Sequence, residues 1–108
     1  MRRMVDEKTI QGLTEQIARE FNPEKIILFG SRAEGTARAD SDVDLLVILS
    51  FEGSSFRKSL DILNRLNPRI PIDLIARRPD EAVRRYDQGD PLIREAFDRG
   101  KILYERRH

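Results

Sequence analysis

The 108-residue sequence contains no cysteine and only one histidine, His108, at its end. Without cysteine, the chain can form neither a disulfide nor a thiolate metal site, and it has no cysteine nucleophile. A single terminal histidine gives no basis for a histidine metal site or a catalytic triad. Because a lack of cysteine is compatible with a reducing compartment, we expect a cytoplasmic protein.

Long apolar segments are also missing from the sequence. No run approaches the roughly 20 residues that span a membrane, and the first residues, 1–7, have no apolar stretch behind their arginines to form a signal peptide. The 20 basic and 19 acidic residues leave a net charge of +1, so bulk electrostatics does not favour nucleic acid or a membrane surface. Aromatic residues are only 6% of the chain, and few lie near the arginine pairs to stack on bases. We therefore expect no membrane association and no direct nucleic-acid binding.

The length and the pattern of apolar residues predict a single domain over residues 1–108, with no linker and no internal repeat. Apolar residues recur at helical spacing over 6–21, 54–66, 79–86 and 91–99, and a short helix is predicted over 31–36. Strands are predicted over 25–29, 43–49, 70–76 and 102–104. This order indicates an α+β (α/β-like) fold, in which a small mixed β-sheet has helices on one face and leaves the other open at the acidic residues.

The most informative motif follows the first predicted strand. Gly30 and Ser31 are followed by ten residues and then by Asp42 and Asp44, which open the second strand. A glycine after a buried strand permits a tight turn, where backbone N–H groups and a serine hydroxyl can face a phosphate. The sequence has neither a P-loop lysine at this turn nor the G-x-G-x-x-G pattern, so P-loop and Rossmann sites are excluded.

Three aspartates are candidates for metal binding. Asp42 and Asp44 lie two residues apart, so in an extended segment both face the same side, where a divalent cation would relieve their repulsion. Asp73 interrupts a predicted apolar strand, and a charge in that position is costly unless it is paired or metal-bound. If the two strands are neighbours, the three carboxylates converge. The alternatives are a solvated D-x-D at the start of a strand and an edge strand whose Asp73 faces water.

The loop between the two strands carries further polar residues. Arg32 and Arg38 could each contact a triphosphate, or they could be solvated loop arginines. Asp40 is interpreted as shaping the turn before Ser41.

The motif from Gly30 to Asp44, the later Asp73 and the ending Gly100-Lys101-Ile102-Leu103-Tyr104 resemble the DNA polymerase beta-like nucleotidyltransferase superfamily, and in particular its minimal nucleotidyltransferase branch. The resemblance covers nearly the whole chain. It implies the polymerase beta-like fold and an enzyme that transfers a nucleotide to a hydroxyl group.

The same resemblance implies a role for each candidate residue. Gly30 and Ser31 would hold the β- and γ-phosphates of ATP, the substrate, and Arg32 is assigned to the same nucleotide site. Asp42 and Asp44 would bind two Mg²⁺ ions, whereas Asp73 would bind the catalytic ion and help to deprotonate the acceptor. Members of this branch are typically paired with a HEPN-domain toxin, and some attach AMP to a tyrosine of that toxin, which neutralises it.

Two other functions remain open from the sequence. The chain could neutralise its partner by binding alone, because a small polar domain has helical faces to spare. It could instead modify a small molecule or a nucleic-acid end, and a homo-oligomer could then build the acceptor site that one short chain lacks.

Overall fold

A computed structural model describes residues 6–38 and 41–107. The predictions made for the first five residues, for Asp40 and for His108 concern positions outside these ranges. Within the described residues, no helix is both long enough and apolar enough to cross a membrane.

The predicted helices and strands are confirmed, with boundaries that differ by at most two residues. The helices are α1 (Glu7–Phe21), α2 (Ser31–Glu34), α3 (Ser55–Leu66), α4 (Pro79–Asp87) and α5 (Pro91–Arg99). The strands are β1 (Lys25–Phe29), β2 (Val43–Ile48), β3 (Ile72–Arg77) and β4 (Lys101–Glu105).

Side-chain caps fix where three of the helices begin. The carboxylate of Asp6 accepts a hydrogen bond from the amide of Thr9 at 2.8 Å, and the hydroxyl of Ser54 accepts one from the amide of Arg57 at 3.0 Å. Asp90 caps α5 in the same way, and Pro91 follows it at the first helical position. These contacts satisfy amide groups that a helix leaves unpaired at its start.

The four strands form one mixed sheet in the order β3-β2-β1-β4. Strand β1 pairs antiparallel with both β2 and β4, whereas β2 and β3 are parallel. The parallel pair is joined through α3, which packs against β3. Strands β3 and β4 are therefore the two edges of the sheet.

Helices cover parts of both faces of the sheet, which corrects the prediction that they would lie on one face. On the first face, α1 and α3 contribute buried residues such as Ile17 and Ile62 to the larger core. On the second face, α4 and α5 contribute Ala82, Ile93 and Ala96 to a smaller core. The physical reason is that β1 and β2 are apolar on both sides, so each side must be shielded from water. The α+β class with a small mixed sheet is confirmed.

Candidate active site

The predicted convergence of acidic residues begins with the pairing of β2 and β3. The two strands are neighbours, and Asp44 stands beside Asp73 in the parallel register. The residues that flank Asp44, Val43 and Leu45, belong to the larger core on the α1 and α3 side. Because side chains alternate along a strand, Asp44 and Asp73 both point to the opposite face.

Asp42 precedes β2 by one residue and is exposed, as is Asp73, whereas Asp44 is partly buried between them. Burial raises the pKa of Asp44 above its usual range, and the negative charges of Asp73, Asp42 and Glu95 raise it further. In the described part of the chain, no cation or hydrogen-bond donor contacts the Asp44 carboxylate. The fold therefore gathers negative charge at this point without balancing it.

Gly30 brings the predicted phosphate turn directly against this carboxylate. A Cβ atom added at Gly30 would overlap with Oδ2 of Asp44 and would lie 3.2 Å from its Cγ. The backbone of Gly30 also has a φ of +76°, which L side chains rarely adopt. Glycine is thus required here twice over, because the turn conformation and the close approach to Asp44 both exclude a side chain.

Ser31 opens the short helix α2, which is capped at its end by Gly35. The carbonyl oxygen of Gly30 accepts hydrogen bonds from the amides of Ala33 and Glu34, at 3.1 and 3.2 Å, so the turn is anchored to the helix. The hydroxyl-bearing residue is therefore held next to Gly30 and within the same turn that contacts Asp44.

Arg32 has a clear structural task in the loop that links the turn to the acidic pair. Its Nε and Nη2 atoms both donate to the carbonyl oxygen of Ser41, at 3.1 and 2.7 Å, and Nη2 also donates to the carbonyl of Arg38 at 3.3 Å. The hydroxyl of Ser41 in turn accepts a hydrogen bond from the Arg38 amide at 2.8 Å. Arg32 thereby fixes the chain immediately before Asp42. No contact of the Arg38 guanidinium is needed for this arrangement.

Sequence reasoning missed a fourth acid, Glu95 on α5. Its charge acts on Asp44, and its carboxylate lies 3.6 Å from Arg99 on the next turn of the same helix. Arg99 also lies 3.7 Å from Glu34 at the end of α2. Nothing in the local sequence marks Glu95, because only the packing of α5 against β1 brings it to the site.

The arrangement fits a divalent cation that is shared with a phosphate substrate. Within the described ranges, no three acidic or histidine side chains are close enough to form a ligand set by themselves. Mg²⁺ commonly takes only one or two carboxylates and completes its octahedral shell with water and phosphate oxygens. Uncompensated carboxylates next to an open glycine turn supply that kind of partial ligand set.

A separate groove of about 1030 Å³ lies between α1 and β4, and both polar and apolar residues line it, among them Glu15, Ile10 and Leu103. It shares Arg32 with the predicted nucleotide residues, but Asp42, Asp44 and Asp73 do not line it.

The comparisons with known proteins agree with this geometry. The profile of the family described as polymerase beta, nucleotidyltransferase, matches residues 11–108. The chain belongs to that family. The match covers the glycine turn, all three aspartates and every strand, so the chain is a nucleotidyltransferase by family and by fold. A comparison with curated proteins gave no match.

Solved structures with the same fold include a candidate nucleotidyltransferase from Sulfolobus solfataricus, with 22% identity over 92% of this chain and 79% of that one and a TM-score of 0.65. A toxin–antitoxin structure with AMP-PNP is 22% identical over 90% of this chain and 74% of that one, with a TM-score of 0.57. A toxin–antitoxin MntA–HepT structure is 18% identical over 93% of this chain and 74% of that one, with a TM-score of 0.52. At these identities, the likeness shows the shared fold.

Proposed function

We propose that this nucleotidyltransferase uses Mg²⁺ to transfer AMP from ATP to a hydroxyl group of a partner HEPN toxin, a tyrosine in the first instance, and so acts as an antitoxin. The observation that carries the proposal is the contact between Gly30 and the carboxylate of Asp44. It places a turn suited to phosphates against an acid suited to a metal ion, with Asp73 on the neighbouring strand.

Each residue at this end of the sheet would have a separate role in binding or positioning. Gly30 and Ser31 would receive the β- and γ-phosphates. Asp42, Asp44 and Asp73 would be the candidate Mg²⁺ ligands, with one or two of these carboxylates on an ion that completes its shell with phosphate oxygens and water. Bound Mg²⁺ would neutralise the charge that develops on the phosphate oxygens during transfer. Arg32 would keep Asp42 in place through its bonds to the carbonyl of Ser41.

In the chemical step, the acceptor oxygen attacks the α-phosphorus while the bond from that phosphorus to the bridging oxygen of the β-phosphate breaks. One phosphodiester forms and pyrophosphate leaves. The carboxylate of Asp73, which is exposed at the sheet margin, would accept the proton from the acceptor hydroxyl. The atoms and charges balance without any further reactant.

Two comparisons support the choice of acceptor. Some of the structures with the same fold are toxin–antitoxin assemblies, and one of these was solved with AMP-PNP. The resemblance of the motif to minimal nucleotidyltransferases points in the same direction.

Intact-mass measurement of the purified chain with its co-expressed neighbouring protein, ATP and Mg²⁺ tests the proposal. The partner should gain one or more AMP units, and the double variant Asp42→Asn, Asp44→Asn should lose transfer by roughly 1,000-fold or more, because several kcal/mol of charge stabilisation disappear. The double variant Asp61→Asn, Asp87→Asn, on α3 and at the end of α4, is the matched control and should retain full transfer. A stable complex with no mass gain would instead favour neutralisation by binding alone.

A further inference from the structure

The order of the site across the sheet indicates where an acceptor enters, an inference that rests on the proposed function. The phosphate turn follows β1, Asp44 lies on β2, and Asp73 lies on β3, which is the edge of the sheet. The proposed phosphate site after β1, the metal site at Asp44 and the proton acceptor Asp73 therefore follow one another toward the free edge of β3. On the opposite side of β1, the paired strand β4 closes the approach.

The backbone of β3 has hydrogen-bonding groups that point away from the sheet. The amide of Val43 donates to the carbonyl of Pro71 at 3.0 Å, and the amide of Leu49 donates to the carbonyl of Arg77 at 3.1 Å. The backbone groups of the odd-numbered residues from Pro71 to Arg77 thus point toward β2. Because the direction alternates along a strand, the N–H and C=O groups of Ile72 and Leu74 point outward, where the described sheet has no further strand.

A side-chain contact limits the length of this open edge. The outward amide of Ala76 donates to the hydroxyl of Ser59 on α3, at 2.9 Å, so this position is already satisfied. The open segment is therefore short and is centred on Asp73.

The helix beside this edge exposes apolar side chains. Phe56 and Leu60 are 69% and 43% exposed. At 100° per residue, both lie on the flank of α3 that is opposite Lys58 and Arg65, which contact α1. Ser59, which lies between them in the sequence of α3, accepts from the outward amide of Ala76, so this segment of α3 runs beside the free edge of β3.

We propose that the acceptor is presented by a partner polypeptide as an extended segment that pairs with Ile72 and Leu74 as an added strand, with Phe56 and Leu60 covering its apolar side chains. A residue opposite Asp73 in such a ladder has its Cβ about 5 Å from that of Asp73 and on the same face of the sheet. A hydroxyl-bearing side chain at that position therefore reaches the proton acceptor. Main-chain pairing supplies affinity and alternate side chains supply specificity.

A second copy of this chain fits the edge less well than a different polypeptide. Because the open segment is centred on Asp73, antiparallel pairing of two copies would set one Asp73 against the other. Like charges directly opposite each other destabilise a strand pair. A small-molecule acceptor, in turn, would leave the outward backbone groups and the apolar flank without a role.

Amide hydrogen exchange of the chain, alone and in complex with its co-expressed partner, tests the proposal. The amides of Ile72 and Leu74 should become protected only in the complex. Protection at these amides in the isolated chain at high concentration would show that a second copy occupies the edge and would overturn the proposal. So would a complex in which they exchange as fast as in the free chain.

Surface variants provide an independent readout. Phe56→Ser with Leu60→Ser should weaken partner binding roughly tenfold or more, since exposed apolar anchors near an interface centre dominate affinity. Val83→Ser with Ile102→Ser removes side chains that are 61% and 56% exposed on α4 and β4, and it should leave binding unchanged. Equal effects of the two pairs would contradict the proposal.

The exchange experiment separates this inference from the proposed function. AMP transfer to a partner whose complex leaves β3 unprotected would refute the added strand and keep the transferase. Protection of Ile72 and Leu74 without any transfer would keep the added strand and refute the protein acceptor.

Discussion

Glu81 on α4 and Asp44 on β2 are both partly buried acids, yet the fold shifts their pKa values in opposite directions. Burial by itself raises the pKa of Glu81, but hydrogen bonds from Ser55 and the Arg78 amide, together with the charges of Arg77 and Arg85, lower it overall. At Asp44, burial and the three neighbouring acids all raise the pKa. Glu81 is thus stabilised by the fold alone, whereas Asp44 is held in a state that a cation would relieve.

Around Glu81, hydrogen bonds and nearby cations compensate the charge of a partly buried carboxylate. Its carboxylate accepts from the hydroxyl of Ser55 at 3.1 Å and lies 3.5 Å from Arg85, which also contacts Asp90 at 3.2 Å. These contacts tie α3, α4 and α5 together. The contrast with the partly buried, uncompensated Asp44 supports the proposal that this end of the sheet binds a ligand.

Among single substitutions, the largest expected effect comes from filling the space between Gly30 and Asp44. Gly30→Ala should reduce nucleotide transfer by roughly 100-fold or more, because a displacement of about 1 Å at a reacting centre costs that much. It should also lower the free energy of unfolding by about 1–3 kcal/mol, since a side chain is strained at a φ of +76°. Kinetics and chemical denaturation measure the two effects.

Gly35→Ala is the control that separates the backbone strain of a positive φ from the overlap of a Cβ atom with Asp44. Gly35 has a similar φ of +80°, but an added Cβ would meet no atom within 4 Å. The Gly35 variant should lose stability yet retain most of its activity. If both variants lose activity equally, the contact between Gly30 and Asp44 has no special importance.

The difference between Asp44 and Glu81 also predicts opposite changes in stability. Asp44→Asn should raise the melting temperature in the absence of divalent cations, because it removes an ionised group from a negative environment. Glu81→Gln should lower the free energy of unfolding by about 1–2 kcal/mol, since hydrogen bonds to a charged acceptor are weakened. Destabilisation by Asp44→Asn would show that the fold does compensate this carboxylate.

These stability differences should depend on pH with opposite signs. The pKa of Asp44 is raised above its ordinary 3.8, so the folded state holds the proton more tightly, and the penalty of ionised Asp44 appears as pH rises through that window. The stabilising effect of Asp44→Asn should therefore grow from acid to neutral pH. The pKa of Glu81 is lowered from 4.5, so the stability it contributes is present above that value and is lost at lower pH. Unfolding curves between pH 3 and pH 7, roughly one unit apart, measure both trends.

The smallest effect is expected at Arg32. Arg32→Lys keeps the charge but loses the fork that binds the Ser41 carbonyl twice, so Asp42 is positioned less firmly. The KM for nucleotide should rise a few-fold, roughly 3- to 10-fold, with a smaller change in kcat. Arg38→Lys is the control, since Arg38 contributes its backbone rather than its side chain, and it should leave KM unchanged.

Much of this architecture could be predicted because the signals are local. Apolar periodicity, the N-caps and the prolines predict each helix and strand, and the D-x-D spacing predicts that Asp42 and Asp44 lie on one side. Whether β2 and β3 are neighbours was left open by the sequence, and the register that pairs Asp44 with Asp73 shows that they are. The family follows from the motif and is confirmed by the profile match.

What could not be predicted depends on packing between distant segments. The coverage of both sheet faces requires knowing how α4 and α5 fold back over β1, and the influence of Glu95 on Asp44 depends on the same packing. The contact between Gly30 and Asp44 depends on the antiparallel register of β1 and β2, which pairs Phe29 with Asp44. Sequence spacing contains no information on such distances.

We propose that Mg²⁺, bound together with the nucleotide, balances the charge left uncompensated at Asp44. The most direct test is the melting temperature of the chain and of Asp44→Asn with and without Mg²⁺ and a non-hydrolysable ATP analogue. The chain should be stabilised when both ligands are present, by an amount that grows with ligand concentration, whereas Asp44→Asn should start from a higher melting temperature and gain little. Equal stabilisation of the two proteins would contradict the account.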